Sequence, residues 1–257
     1  MTFDDLHAHT NLSYCCESTL TPHDYVRAIR RNDVLRRVAI TNHGFAIYFP
    51  EPIAWRWRFM TEPVMFDDQR VWGNERLRRH LDEVDALRDE GLMTGVEVEM
   101  MSDGRLTIDP KLIDRLDVIV GSVHWLPPTW QHGGSSDDVL REWLAHTRQL
   151  IRAGIDVLGH PLRWIDSQFP EIPDEVVCQV VEACREAGVA VEINSHQIIH
   201  ADVSMLQEVA RTGALVTFCT DAHERDEIGE FGYHRRLLDR AGLTADDLTL
   251  WTPTRRP

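Results

Sequence analysis

Short apolar runs alternate with longer amphipathic stretches along most of this chain. The runs lie at 3–9, 38–41, 93–101, 116–123, 156–159, 189–193 and 214–219, and most are rich in Val, Ile and Leu with few polar interruptions. Such near-continuous runs suit strands buried on both faces, as in a parallel sheet. Between them, apolar residues recur at helical spacing: Leu77, Leu81, Val84 and Leu87 mark one face of a helix expected over 74–90. Further helices are expected over 22–32, 137–153, 173–188, 202–212 and 232–241. Thr21 followed by Pro22 reads as an N-cap and a first helical position, Ser136 as another cap, and Gly91, Gly154 and Gly188 as stops. Asp103-Gly104 signals a hairpin with a short returning strand at 105–108. The alternation of strand and helix predicts a parallel α/β barrel, TIM-barrel-like, spanning 1–257 as one domain.

One stretch breaks the pattern. Between 45 and 73, Pro50, Pro52 and Pro63 are interleaved with Trp55, Trp57, Phe59, Phe66 and Trp72. This reads as a long loop or irregular insertion after the second strand. It is either a lid over a site, with Arg56 and Arg58 lending it cationic character, or an aromatic mini-core.

Barrels of this kind build their sites at the C-terminal ends of the strands. His7 and His9, two apart on a strand, share one face. His43, Glu97, His124, His160, Asp221 and His223 each fall at or just past the end of another run. Histidines placed only for packing would have no reason to share one end of a sheet. Neutral imidazoles with carboxylates form a borderline donor set suited to zinc, manganese or iron.

Composition narrows the partners. The chain has 27 Lys and Arg against 42 Asp and Glu, a net charge of −15. That field repels extended duplex DNA or RNA, while a small anion held by metal ions stays compatible. No run approaches 18 consecutive apolar residues and no basic-then-apolar leader opens the chain, so a membrane span or secretion is not expected. The five cysteines, Cys15, Cys16, Cys178, Cys184 and Cys219, form no CxxC pair and suggest a reduced, cytoplasmic protein.

As a set, Asp5-Leu6-His7-Ala8-His9-Thr10, Thr41-Asn42-His43-Gly44, Gly95-Val96-Glu97, Ser122-Val123-His124, Gly159-His160-Pro161, Glu192-Ile193-Asn194 and Thr220-Asp221-Ala222-His223 resemble, in order and context, the motifs of the PHP superfamily. That superfamily is named for polymerase and histidinol phosphatase. The resemblance covers about residues 3 to 240 and implies a distorted seven-stranded (β/α) barrel with a two- or three-metal site. It implies one ion held by His7, His9, Glu97 and Asp221, and a second by Glu97, His124 and His160, so that Glu97 bridges. A third site would use His43 and His223 with Cys15, which stands where the family often has a loop histidine. Asn42 likewise replaces the aspartate that commonly precedes the histidine of the second motif.

The reaction implied is phosphoester hydrolysis, with a metal-activated hydroxide attacking in line. Glu97, Asp221, His223 and Arg163 are the catalytic candidates, and Arg163, Asn194 and Arg225 the substrate-binding ones. Each of these last three has a plainer reading, as a surface ion pair or a turn-forming asparagine. His132, His196 and His200 are loop candidates for leaving-group protonation. Glu99 shares the face of Glu97 and suits a salt bridge, whereas Trp125 and Trp130 suit a pocket wall or core. The expected substrate is a small phosphomonoester metabolite, histidinol-phosphate-like or a nucleotide. The alternatives are a phosphodiesterase or nuclease on short oligonucleotides or cyclic phosphates, and a non-catalytic metal-binding module.

Overall fold

Strands dense in branched aliphatic residues need cover on both faces, and the fold supplies it with one curled sheet wrapped by helices. The computed structural model describes residues 2–126 and 135–254. In chain order its elements are β1 Phe3–Ala8, α1 Pro22–Ile29, β2 Leu35–Ile40, α2 Gly44–Tyr48, α3 Glu51–Ala54, α4 Arg58–Thr61, α5 Val64–Asp85 and β3 Leu92–Val98. Next come β4 Val118–Gly121, α6 Ser136–Ile151, β5 Val157–Leu158, α7 Arg163–Asp166, α8 Asp174–Ala187, β6 Ala190–Asn194, α9 Asp202–Thr212, β7 Leu215–Cys219, α10 Gly232–Ala241 and β8 Thr249–Leu250.

The eight strands are parallel and neighbour one another in sequence order. The sheet curls so that the chain just past β7 reaches β1. Asp221 N–H donates to the His7 carbonyl at 2.8 Å and His9 N–H to that of Ala222 at 3.1 Å. The buried Asp5 carboxylate accepts the Thr220 N–H at 3.0 Å across the same seam. Inside the curl, Leu6, Ala39, Met93, Val118, Val157 and Ala190 form a small apolar plug. A larger apolar layer lies between the sheet and its helices. Every residue of β3 is buried, which sets its C-terminal end at the middle of the assembly.

The α/β, TIM-like architecture is as the sequence predicts, with differences in detail. An eighth strand forms beyond the last expected helix, where Thr249 and Leu250 pair with Leu215 and Val216 of β7. The 45–73 segment is largely helical rather than a loop. Pro52 sits in the first turn of α3 and Pro63 caps α5, positions where a fixed φ assists a helix instead of breaking it. As a result α5 begins ten residues before the expected Asn74, at Val64. Its phenylalanines form the mini-core: Phe49 stacks on Phe59 at 4.5 Å, and Phe45 and Phe66 are buried with them. The returning strand after Asp103-Gly104 shrinks to one antiparallel bridge between Met100 and Leu106. The side chain of Thr107 turns instead to Glu99. The α6 cap is Ser135 rather than Ser136, in a reciprocal box with Asp138. Trp130 and His132 lie outside the described residues. Among the described residues no helix is long and apolar enough to cross a membrane.

His234 of α10 yields a stability prediction. Its Nε2–H donates to the Ile193 carbonyl at 2.9 Å, in an apolar niche of Phe3, Phe218 and Phe231. Burial pushes its pKa down to about 4. The unfolded chain takes up this proton as pH falls through 6.5, and the folded chain refuses it until about 4. Stability is therefore lost across that window, by about 3 kcal/mol for this residue alone. His234→Gln, which keeps a donor but does not titrate, is expected to flatten the fall of the urea midpoint between pH 6.5 and 4. An unaltered slope would contradict the assignment.

Candidate metal centre

The site forms around Glu97, next to last in β3 and wholly buried. Five imidazoles from four other strand ends surround its carboxylate. His7 of β1 approaches Oε1 to 3.4 Å, His124 beyond β4 to 3.3 Å and His160 beyond β5 to 3.1 Å. His9 lies 3.6 Å from Oε2, and His43 Nδ1, beyond β2, closes on the same oxygen. Asp221, beyond β7, faces His9 at 2.9 Å and His7 at 3.4 Å through Oδ1.

The backbone is bent to bring this about. His160 and Asp221 adopt left-handed conformations, with φ of 27° and 53°. Each costs about 1–2 kcal/mol for a residue with a Cβ and needs local support. The support is visible: His160 N–H donates to Glu192 and Asp221 N–H to the His7 carbonyl. Gly159 must be glycine, because a Cβ there would lie 2.3 Å from Ser122 Oγ and 2.7 Å from Val120 Cγ1.

A further ring of groups fixes the ligand orientations. His7 Nδ1–H donates to Glu192 Oε1 at 2.8 Å, His124 Nδ1–H to Glu99 Oε1 at 2.8 Å, and His223 Nδ1–H to the Asp221 carbonyl at 2.7 Å. His9 Nδ1 meets Ser13 Oγ at 3.2 Å. In His7, His9 and His124 this leaves Nε2 as a buried atom without a hydrogen-bond partner, the atom a ligand would offer.

Charges in the site oppose one another. Burial disfavours ionised Glu97, yet His124, His43 and His7 with the His160 hydrogen bond hold its pKa well below the ordinary carboxyl value. Burial likewise opposes ionised Asp221, and His7 and His9 overcome it. Burial lowers His9 to about 3 and pulls His124 well below its usual value. At His7 and His43 burial is overcome by neighbouring acidic groups, Glu192, Asp221 and Glu97 for the first and Glu97 and Cys15 for the second, which hold both rings well above theirs. Glu99, by contrast, is pushed up to about 8 by burial and by the neighbouring Glu97 charge.

Does this set suit a metal? Among the described residues His7 Nε2, His9 Nε2, His43 Nδ1, Glu97 Oε2, His124 Nε2 and Asp221 Oδ1 are all buried without a hydrogen-bond partner. Six such atoms in one cluster would each cost on the order of 1–3 kcal/mol with nothing to bind. Several groups of three are compact enough to hold an ion, among them His7, His9 and Glu97; Glu97, His124 and His160; His9, His43 and His223; His43, Glu99 and His124; and Cys15, Cys16 and His223. The Cys15 thiol lies within hydrogen-bonding reach of both His43 and His223.

The remaining candidates separate. Arg163, in the first turn of α7, is half-buried and close enough to His124 to depress its basicity. Among the described residues its guanidinium has no ion-pair or hydrogen-bond partner. Arg225 is engaged elsewhere: Nε donates to Asp24 at 2.7 Å, and its two terminal nitrogens to Glu17 and Thr19. Asn194 is also engaged, donating to Glu192 at 3.2 Å and Asp221 at 3.1 Å while accepting from the His196 and Gln197 N–H groups. Through these bonds it braces Asp221 and Glu192. His196 stacks on His223 at 4.6 Å and pairs with Glu227 at 2.8 Å, whereas His200 is exposed. Sequence reasoning gave no role to Glu192, Ser13 or Cys16. A lone carboxylate inside the apolar run Val191-Glu192-Ile193 was the available signal for the first.

A family model described as the PHP domain matches residues 5–196. The chain belongs to the PHP domain family. A probable phosphatase of Aeromonas hydrophila subsp. hydrophila is 27% identical over 97% of this chain and 89% of its own length. One of Enterobacter sp. (strain 638) is 25% identical over 98% and 91%. Among solved structures, a histidinol phosphate phosphatase of Lactococcus lactis subsp. lactis, crystallised with zinc, L-histidinol and phosphate, superposes with a TM-score of 0.62 at 18% identity. The match covers 99% of this chain and 98% of that one and shows a shared fold. The PHP protein described here is thus placed among hydrolytic phosphoesterases.

Glu192 gives the site's prediction. Its two carboxylate oxygens accept from His7, from the His160 backbone and from Asn194. Glu192→Gln must turn an amide N–H₂ toward one of those donors. We expect metal affinity to fall about 10–100-fold with the fold retained by circular dichroism. Affinity equal to wild type in a metal titration would refute it.

Proposed function

We propose that this PHP phosphoesterase is a phosphatase of small phosphomonoester metabolites, histidinol-phosphate-like or nucleotide, working with two or three divalent ions. The observation that carries the reading is the cluster of buried imidazole and carboxylate atoms with no partner around Glu97. His7, His9, Glu97 and Asp221 would hold one ion, Glu97, His124 and His160 a second, and Cys15, His43 and His223 a third. When bound, such ions lower the pKa of water and neutralise charge on a phosphoryl group, which is the chemistry hydrolysis requires.

The chain's own groups supply the rest. Glu97, kept ionised by its imidazole neighbours, offers one oxygen to each side of the centre. Asp221 stays ionised through His7 and His9. Arg163, near His124 and without an internal partner among the described residues, is suited to gripping non-bridging phosphate oxygens with its planar fork. His196, braced by Glu227 at 2.8 Å and stacked beside His223, is suited to giving a proton to the leaving oxygen. The relatives named as probable phosphatases support the monoester reading, as does a net charge of −15 that disfavours long polyanions.

Protein purified without chelator is expected to hold at least two equivalents of transition metal. Metal analysis giving one or none would refute the dinuclear reading. Glu97→Gln is expected to reduce turnover by about 10³-fold, as the loss of several kcal/mol of charge stabilisation requires, with folding intact. A parallel screen of phosphomonoesters, phosphodiesters and short oligonucleotides on the metal-reconstituted protein should show turnover of monoesters. Hydrolysis confined to diesters would overturn the substrate class.

A further inference from the structure

The side chains around Glu97 are covered unequally, and the difference shows where the centre opens. Glu97, His7 and His9 are fully covered and His160 and His43 nearly so, whereas His124 and His223 each keep 10% of their side-chain surface in solvent. Each of these two rings has an aromatic neighbour. His196 stands over His223. Beside His124 stands Trp57, its indole inclined 26° to the imidazole with ring centroids 6.2 Å apart.

Trp57 is held there against its backbone preference. It joins α3 to α4 in a left-handed conformation, φ 56°, which glycine takes freely and a bulky residue rarely does. Two buried phenylalanines clamp the indole, Phe45 at 4.7 Å and Phe59 at 5.7 Å. The mini-core below is already closed, with Phe45, Phe49, Phe59 and Phe66 each 2% exposed or less. Trp57 nevertheless stays half-buried, and Trp55 is 44% exposed where it meets Phe45 at 5.6 Å. Phe45 in turn stacks on His43 at 4.6 Å. Core packing therefore does not account for the surface that the two indoles leave in water beside the centre, and strained residues of this kind gather at ligand clamps.

We propose that Trp57, flanked by Trp55, is a platform on which a planar aromatic ring of the substrate stacks, so that the preferred phosphomonoesters carry such a ring on their alcohol side. Arg163 lies near the same His124 and, among the described residues, has no acidic partner, which suits it to the phosphate end and leaves the indoles to the leaving alcohol. An imidazole or a nucleobase offers the flat face that an indole accepts, and a short polyol does not. Stacking also supplies an attraction that a net charge of −15 does not oppose. The inference rests on the phosphatase reading above and adds what selects the leaving group.

The test measures kcat and KM of the metal-loaded protein on histidinol phosphate, a purine nucleoside monophosphate and glycerol phosphate. Wild type should favour at least one ring-bearing ester over glycerol phosphate in kcat/KM, and the favoured one tells an imidazole from a nucleobase. Trp57→Gly removes the indole and takes φ 56° without strain, whereas Trp57→Phe keeps a smaller ring. Trp57→Gly should raise KM for the favoured ester about 10-fold with kcat within about twofold, and leave KM for glycerol phosphate near wild type. Trp57→Phe should recover most of the loss. If Trp57→Gly does not fold, Trp55→Ala at the exposed neighbour carries the same comparison, with a rise of about 3-fold. Equal kcat/KM for ring-bearing and ring-free esters in wild type would overturn the platform and leave the phosphatase reading standing. So would a KM that is unchanged in the variant, or that rises by the same factor for glycerol phosphate. Turnover of no phosphomonoester by wild type would refute the phosphatase reading and the platform with it.

Discussion

Everything at the head of this barrel depends on one ionised carboxylate kept out of water. Burying Glu97 alone would cost several kcal/mol, and a carboxyl so placed would ordinarily take up a proton. His7, His43, His124 and His160, from the ends of β1, β2, β4 and β5, oppose that, and they can do so only if the sheet curls until those ends converge. The seam between β1 and the chain after β7 is therefore part of the same constraint, since it carries Asp221 to His7 and His9. Closure and chemistry are two aspects of one arrangement.

The imidazoles need support in their turn. A histidine offers its Nε2 lone pair only when its proton is held at Nδ1, and a different partner does this for each ring: Glu192 for His7, Ser13 for His9, Glu99 for His124 and the Asp221 carbonyl for His223. Two rings differ: His43 turns Nδ1 toward Glu97, and His160 keeps Nδ1 buried without a partner while its Nε2 faces Glu97. Two of the holders are buried acids, and only at Glu192 does the ring it orients offset the cost of its charge. Glu192 remains ionised because His7 opposes its burial, while Glu99, with fewer opposing charges, is driven up to about 8. Such mutual dependence makes the centre poor at tolerating single changes even where the changed residue touches no reacting atom.

How much of this was legible in the sequence depends on where the signals lie. A chemical residue at the end of an apolar run is visible in one dimension, so His7, His9, His43, Glu97, His124, His160, Asp221 and His223 could all be picked out. Supporting residues carry no such mark. Ser13 and His80 look like a loop serine and a helix-face histidine, and only folding sets Asn42 between them. Boundaries failed where one residue type has two meanings. Prolines at 52 and 63 read as breakers because a proline starts a helix only when the residues after it can continue one. The two residues of β8 were hidden because a strand that short has no period to detect.

The acidity of the chain bears on how an anion could be handled at all. With 42 acidic side chains against 27 basic ones, a phosphorylated substrate meets repulsion at long range. The basic side chains do little to offset it, since many arginines are already spent in local pairs: Arg36 and Arg37 on Asp4, Arg88 on Asp117, Arg105 on Asp67 and Arg225 on Asp24. In the proposed phosphatase, attraction would therefore come from the centre itself, from ions held there and from an arginine without an acidic partner. Among the described residues Arg163, beside His124, has no acidic partner, whereas Arg225 is paired with Asp24 and Glu17, although each stands a few residues past a histidine of the centre. What distinguishes them is the acidic company each keeps, and the fold alone decides that.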